Sequence, residues 1–293
     1  SEAGGHGMQV FDLTELRNVS SPPVQFSETA HYAQFGNAHN IFINEETGFA
    51  YAIGTSTCGP GGLHIVDISN PVAPARAACV SDPATGRSGT GYVHDVQCVV
   101  YNGPDTEHVG KEICVGSNET NVWVADVSTK SDDSSGGKTI GLGSYDNYYT
   151  HQGWLTEDHR YFIQNDELDE YNGAVNKTRT LIWDLQDLDN PEIETTYFGP
   201  TSSIDHNNYI GGRYSVLSEV GMLPAGLMGL NEKKFKQFNN LIKNKLFLNQ
   251  LIQNVGSTLD LVKKDKYISV ILNYDAKSDN LFKWYQQLIA ESL

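Results

Sequence analysis

Four histidines stand at nearly equal intervals along the first two thirds of the chain. His39, His94, His151 and His206 are separated by 55, 57 and 55 residues. Neutral imidazole is the commonest metal ligand among side chains, so four phased His residues converging on one axis would form a metal site. The same spacing also suits a structural role in which each His hydrogen-bonds a turn of its own repeat. A second set of oxygen ligands lies in the acidic loop Asp166-Glu167-Leu168-Asp169-Glu170, followed by Asn172 and Gly173. Asp166 and Asp169 there could bind Ca²⁺ through hard carboxylate oxygens. The loop lacks EF-hand spacing, and the alternative is a solvated hairpin tip. Cys58, Cys79, Cys98 and Cys114 permit three pairings. One or two disulfides would suit an exported protein, and buried thiols a cytosolic one.

Evenly spaced histidines need a repeated element to carry them. A second series runs in phase with the first: Val10-Phe11-Asp12-Leu13, Ile65-Val66-Asp67-Ile68, Val124-Ala125-Asp126-Val127 and Ile182-Trp183-Asp184-Leu185. Its Asp residues are 55, 59 and 58 apart, and Asn70-Pro71 and Asn190-Pro191 follow two of them. Between these landmarks the chain reads as short strands. Ile41–Asn44 and Phe49–Ile53 flank the turn sequence Glu45-Glu46-Thr47-Gly48, and Leu63–Ile68 follows. Val96–Val100, Glu112–Val115, Tyr161–Ile163 and Thr180–Trp183 repeat the scheme. Several strands per unit without helical periodicity predict β-propeller blades. Roughly three and a half units are present, and closed propellers use about four to eight blades. The expectation is an incomplete propeller with uncovered blade faces, prone to aggregation.

The phrase Gly62-Leu63-His64-Ile65-Val66-Asp67-Ile68-Ser69-Asn70-Pro71 resembles the LVIVD-type repeat of the choice-of-anchor B family. His94-Asp95, the acidic loop and the stretch from Thr180 to Pro191 carry the same resemblance, which covers about residues 7–210. It implies a secreted or surface-anchored β-propeller, hence an extracellular address, with a binding or structural role and an unknown ligand. It implies no established reaction and no required cofactor, a bound metal ion being the one candidate.

The whole chain has 293 residues, a net charge of −16 and a pI near 4.8. At 39% hydrophobic it is too apolar for a wholly disordered protein. No apolar run approaches the roughly 18 residues of a membrane-spanning helix. The acidity argues against a nucleic-acid binder that neutralises phosphates. These averages conceal a break near Ile210. Residues 1–210 hold 9 Lys and Arg against 29 Asp and Glu, a net charge of −20. Residues 211–293 hold 11 against 7, a net charge of +4. Such a shift predicts two units of different history, 1–208 and 209–293. With no initiator Met, no apolar leader and no polar tail after Leu293, the sequence reads as an internal fragment or a mature chain.

Beyond Ile210 the apolar residues adopt a helical period. Asn231 is the predicted cap of a helix carrying Phe235, Phe238, Leu241, Ile242, Leu248, Leu251, Ile252 and Val255, with Gly256 as its stop. Tyr267–Leu272 reads as a strand, and Ser278 or Asp279 caps a second helix carrying Leu281, Phe282, Tyr285, Leu288 and Ile289. The predicted fold class is therefore mixed, an all-β incomplete propeller followed by an α/β fragment.

Tyr209-Ile210-Gly211-Gly212-Arg213-Tyr214-Ser215-Val216-Leu217-Ser218 resembles the signature of the phosphoglucose isomerase (glucose-6-phosphate isomerase) family. Leu272-Asn273-Tyr274-Asp275 and Trp284-Tyr285-Gln286-Gln287 follow in the family's order, so the resemblance spans 209–293. It implies a glycolytic and gluconeogenic enzyme, cytoplasmic, that interconverts glucose 6-phosphate and fructose 6-phosphate. By that resemblance Gly211 and Gly212 let the backbone approach the sugar phosphate and Arg213 stabilises the enediolate. Glu291 would move the proton between C1 and C2. Glu219 and Leu293 depart from the family pattern, and no His follows His206 to open the sugar ring. The expectation is an isomerase fragment that is inactive as this chain, its join to the propeller within 208–214 marking a chimeric reading frame. The alternative is a genuine fusion that retains sugar-phosphate binding or isomerase activity.

Overall fold

Short runs of β-branched and aromatic residues, punctuated by Gly, Asn and Asp turns, shape residues 1–205 into strands. The architecture is that of a computed structural model, which describes residues 5–19, 24–133, 136–199, 202 and 243–264. The chain divides into two units, 1–205 and 206–293.

The described part of the first unit contains four antiparallel sheets, none closed into a barrel. Sheet I pairs β1 (Met8–Val10) with β2 (Ala30–Tyr32). Sheet II is the meander β3 (Asn40–Asn44), β4 (Phe49–Ile53), β5 (Leu63–Asp67) and β6 (Ala75–Val80). Sheet III runs β7 (Asp95–Val100), β8 (Glu112–Ser117), β9 (Val122–Asp126) and β10 (Lys138–Gly143). Sheet IV runs β11 (Thr150–Leu155), β12 (Tyr161–Asp166), β13 (Arg179–Asp184) and β14 (Glu192–Phe198).

The phased aspartates acquire a physical role here. Asp67, Asp126 and Asp184 are the last residues of the third strands, β5, β9 and β13. Each carboxylate accepts the backbone N–H two residues on, from Ser69, Ser128 and Gln186, and so turns the chain out of the strand. Asp12 does the same for Thr14, just after β1. Strands β1 and β2, separated by this turn, therefore correspond to the third and fourth strands of the larger sheets. In each four-stranded sheet the pairing of third with fourth strand also carries a register shift, at Ile65/Val66, Thr139/Gly141 and Ile182/Trp183. Such bulges add local twist.

Each sheet is apolar where it faces its neighbour. Tyr32, Phe35 and Ala38 pack on Ala50, Ala52 and Val66 between sheets I and II. Tyr51, Ile53, Leu63 and Ile65 meet Val93, Val96 and Trp123 between sheets II and III. Ile113, Val115, Val122 and Val124 meet Leu155, Phe162, Leu181 and Trp183 between sheets III and IV. Burying one such large side chain contributes about 2 kcal/mol, so these three layers are the main favourable term.

A buried carboxylate fastens sheet II to sheet III. Glu112 on β8 is 6% exposed. It accepts hydrogen bonds from Asn44 Nδ2 (2.7 Å), Thr47 Oγ1 (2.7 Å), Tyr51 OH (2.5 Å) and Lys130 Nζ (2.7 Å). Burial pushes the Glu112 carboxyl up, but Lys130 and the Tyr51 and Thr47 hydroxyls outweigh it and hold it below the usual value. Lys130 also lies over the Phe49 ring, 4.6 Å from its centroid. All four cysteines are bridged, Cys58 to Cys79 and Cys98 to Cys114. The second bridge joins directly opposed residues of β7 and β8.

In the second unit the described residues contain one helix, α1 (Lys245–Val262). Asn244 Oδ1 accepts from the Leu246 and Phe247 amides and caps it. The expected cap Asn231 lies outside the described residues, as do the predicted strand Tyr267–Leu272 and the second helix. The expected stop at Gly256 is overturned, because α1 passes through it to Val262. A mid-helix Gly costs about 1 kcal/mol against Ala, and Leu259 and Asp260 continue the helix without a proline to end it. No described helix is long and apolar enough to cross a membrane.

The packing carries two predictions about stability. Glu112→Leu leaves Lys130 buried and unpaired and is expected to cost about 3 kcal/mol, read as a lower urea midpoint. Combining it with Lys130→Met is expected to restore most of that loss; equal losses in both would remove the ion pair as the cause. The second concerns His64, 1% exposed, which lies between the Tyr32 hydroxyl (2.7 Å) and Thr57 Oγ1 (2.8 Å). Burial, helped by Arg76, pushes its pKa down to about 4 from 6.5. The unfolded chain takes up a proton below pH 6.5 that the native imidazole refuses, so stability falls as pH drops from 6.5 towards 4. His64→Gln is expected to flatten that slope in denaturation series at pH 7, 6 and 5.

Candidate functional site

The three linkers between sheets all return to one end of the first unit, and each delivers a histidine to the start of a first strand. His39 immediately precedes β3, His94 immediately precedes β7, and His151 is the second residue of β11. Strand β7 lies beside both β3 and β11, so the three first strands stand together. Their imidazoles meet at a tilt: the His39 and His94 ring centroids are 4.0 Å apart at 43°, and those of His94 and His151 are 4.6 Å apart at 42°. The sequence spacing thus becomes spatial convergence for three of the four histidines. His206 lies outside the described residues.

Ring orientation is set by the backbone of the next sheet. His94 Nδ1 donates to the His151 carbonyl at 2.9 Å, which places the acceptor lone pair of the neutral ring on Nε2. His151 Nε2 is 3.8 Å from Glu167 Oε2. One ligand atom from each of His94, His151 and Glu167 falls within 4.8 Å of the others. Two imidazoles and a carboxylate are a donor set suited to a divalent transition metal with an open coordination position. His94 and His151 are buried while His39 is exposed, so the cluster opens to solvent on the His39 side.

Aromatic and charged groups line the rim. Tyr149 meets the His94 ring edge to face at 5.2 Å, and the Arg87 guanidinium lies over Tyr149 at 4.9 Å. Burial, then the nearby Glu119 carboxylate, pushes the Tyr149 hydroxyl well above its ordinary value, so it stays protonated as a donor. Glu119 holds a left-handed backbone, φ +72°, and its carboxylate accepts from the Arg87 amide at 3.0 Å. Gly54, at φ +65°, leaves the space for His39; a Cβ there would come within 2.5 Å of the His39 Cβ.

Polar side chains one position further along lock the same strands. Asn40 Nδ2 donates to Asp95 Oδ1 at 3.0 Å, and the Gly153 amide also bonds Asp95. Burial nonetheless pushes the Asp95 carboxyl above its usual value. Leu155 N donates to Gln97 Oε1 at 2.7 Å from sheet IV to sheet III. The His94–His151 contact is one of these links, and it runs to the backbone of the next sheet rather than to a turn of its own repeat.

The acidic loop separates into different roles. Asp166, wholly buried, accepts from the Tyr145 hydroxyl and from the Tyr148, Tyr149 and Leu168 amides. Asp169 pairs with Arg179 Nε at 2.6 Å and accepts the Glu170 amide. Backbone donors and the Arg179 guanidinium contact these oxygens, and through those bonds the two carboxylates anchor the loop. Glu167, which the sequence did not single out, is the member that reaches the histidines. Its amide donates to the Tyr149 carbonyl, and that hairpin closure carries it towards His151. Gly211, Gly212, Arg213 and Glu291 lie outside the described residues.

No known family profile matches the chain. Curated relatives match over a short stretch. The glucose-6-phosphate isomerase of Bacillus cytotoxicus is 33% identical over 88 residues, 28% of this chain and 20% of the relative. That of Caldanaerobacter subterraneus subsp. tengcongensis is also 33% identical over 88 residues, with the same shares. That of Mycoplasmopsis pulmonis is 31% identical over 87 residues. The chain therefore spans about a fifth of the length of the curated relatives it matches. A segment amounting to 28% of this chain is thus similar in sequence to glucose-6-phosphate isomerase.

Proposed function

We propose that the first unit is part of a β-propeller of the LVIVD-repeat type that acts as a binding module, with a divalent transition metal held at its histidine-lined end. The observation that carries this reading is the ring contact of His39, His94 and His151, each brought by the first strand of a successive four-stranded meander. Consecutive meanders whose first strands stand together are the arrangement of propeller blades. Sheet I, holding the third and fourth places of a unit, supports the same cyclic order. Two disulfides support an oxidising, extracellular setting for this unit. His94 Nε2, His151 Nε2 and Glu167 are the proposed ligands, with His39 closing the open side.

A Zn²⁺ titration of the EDTA-treated full chain tests this. Glu167→Gln and His151→Gln are each expected to weaken binding at this end at least about ten-fold. Unchanged binding in both variants, with only lower melting temperatures, would leave the histidines a purely structural part.

For the second unit, the similarity to glucose-6-phosphate isomerase supports sugar-phosphate ancestry for residues 209–293. Gly211, Gly212 and Arg213 are the proposed contacts to the sugar phosphate, and Glu291 is the proposed proton carrier. Isomerisation also needs a group that opens the sugar ring, and no His follows His206 in this sequence. We propose that residues 209–293, as they stand here, do not isomerise sugar phosphates and are joined to an unrelated propeller in a chimeric reading frame. In a coupled assay the full chain is expected to show no interconversion of glucose 6-phosphate and fructose 6-phosphate above a Glu291→Gln control. Turnover that this substitution abolishes would favour a genuine fusion enzyme instead.

A further inference from the structure

A second cluster of ligand-type side chains lies away from the three clustered histidines, where the loop between β7 and β8 meets the turn between β13 and β14. His108 and Asp105 come from the first of these segments, and Asp189 from the second. His108 is 5% exposed, and its Nε2 is fully buried without a hydrogen-bond partner. That nitrogen faces two carboxylates, Asp189 Oδ2 at 3.5 Å and Asp105 Oδ2 at 3.8 Å. The three ligand atoms all lie within 4.8 Å of one another. A buried polar atom left without a hydrogen-bond partner costs about 1–3 kcal/mol, a cost that a cation bound between the ring and the two carboxylates would remove.

We propose that Asp105, His108 and Asp189 bind a divalent transition cation that ties sheet III to sheet IV. Ligands of a tetrahedral Zn²⁺ stand about 3.3 Å apart, so the two separations from His108 Nε2 need only slight contraction. One imidazole with two carboxylates suits Zn²⁺ or a neighbouring first-row ion, and water would complete the coordination. Backbone amides already orient Asp105 as a ligand, since its Oδ2 accepts from Leu188 at 2.9 Å and its Oδ1 from Glu107 at 3.2 Å. Further lone pairs remain on each oxygen. The Asp189 side chain is 57% exposed and free to swing inward. This cluster does not depend on the propeller reading or on the metal proposed at the three clustered histidines.

One neighbour opposes the cation. Lys111 Nζ donates to His108 Nδ1 at 3.3 Å, which fixes the proton of the neutral ring on Nε2. Metal binding at Nε2 requires that proton on Nδ1 instead, and Lys111 must then leave the ring. Its alternative partner is at hand, since the same Nζ is 3.7 Å from Asp126 Oδ2. Removing the lysine therefore strengthens this site, a response that a merely structural His–Asp contact would not give.

The test is calorimetric titration of the EDTA-treated full chain with Zn²⁺, repeated with Co²⁺ to read its visible absorption. Asp189→Asn, an exposed and conservative change, and His108→Gln are each expected to remove one equivalent or to weaken it at least about ten-fold. Lys111→Gln is expected to tighten the same equivalent several-fold, and Glu167→Gln to leave it unchanged. An isotherm that is the same in the parent, Asp189→Asn and Lys111→Gln chains would overturn the site. So would the absence of any uptake that depends on His108.

Discussion

A four-stranded sheet with apolar side chains on both faces is stable only when both faces are covered. That constraint organises the described part of the first unit, where sheet II is covered by sheets I and III, and sheet III by sheets II and IV. Trp123 and Trp183, nearly fully buried, lie at equivalent interfaces one unit apart. Burial at about 25 cal/mol per Å² is non-directional and would tolerate sliding of one sheet over another. Directional bonds prevent the sliding: Glu112 with four donors, Asn40 to Asp95, and His94 to the His151 carbonyl. Greasy layers supply the energy, and a few buried polar groups fix the register.

The candidate sites are by-products of that stacking. Once the first strands stand side by side, any residue at the start of each repeat is carried to the same end. The histidines occupy that position in three successive sheets, and their rings meet because neighbouring first strands meet. The acidic charge of the first unit is absorbed in a similar way. Asp12, Asp67, Asp126 and Asp184 terminate strands, while Asp166 and Asp169 are consumed by backbone amides and Arg179. Only a few acids, Glu167 and the Asp105–Asp189 pair among them, stand opposite an imidazole.

Much of this was legible before folding. The strands expected between Ile41 and Trp183 follow from runs of β-branched residues between turn residues, and each appears within three residues of its expected bounds, β12 running on from Ile163 to Asp166. The aspartate series also spoke clearly, because an Asx turn is a local interaction whose donor lies two residues away. Other features were silent for a physical reason. Glu167 reaches His151 only through the hairpin of β11 and β12, and Asp189 reaches His108 across 81 residues. The route of α1 through Gly256 was misread because a glycine stop is a conformational option rather than an obligation.

By itself, then, the sequence determined the period, the β character of residues before 210, the change of character near residue 210 and the residues available for chemistry. These are set by local propensity and by composition, which need no partner distant in the chain. Only the tertiary structure decided the pairing of Cys58 with Cys79 and Cys98 with Cys114, and which acid of the loop, Glu167, lies beside His94 and His151. It also brought an unsatisfied His108 before two carboxylates. Those outcomes depend on which faces bury against each other, and burial is a property of the assembled sheets rather than of any one segment.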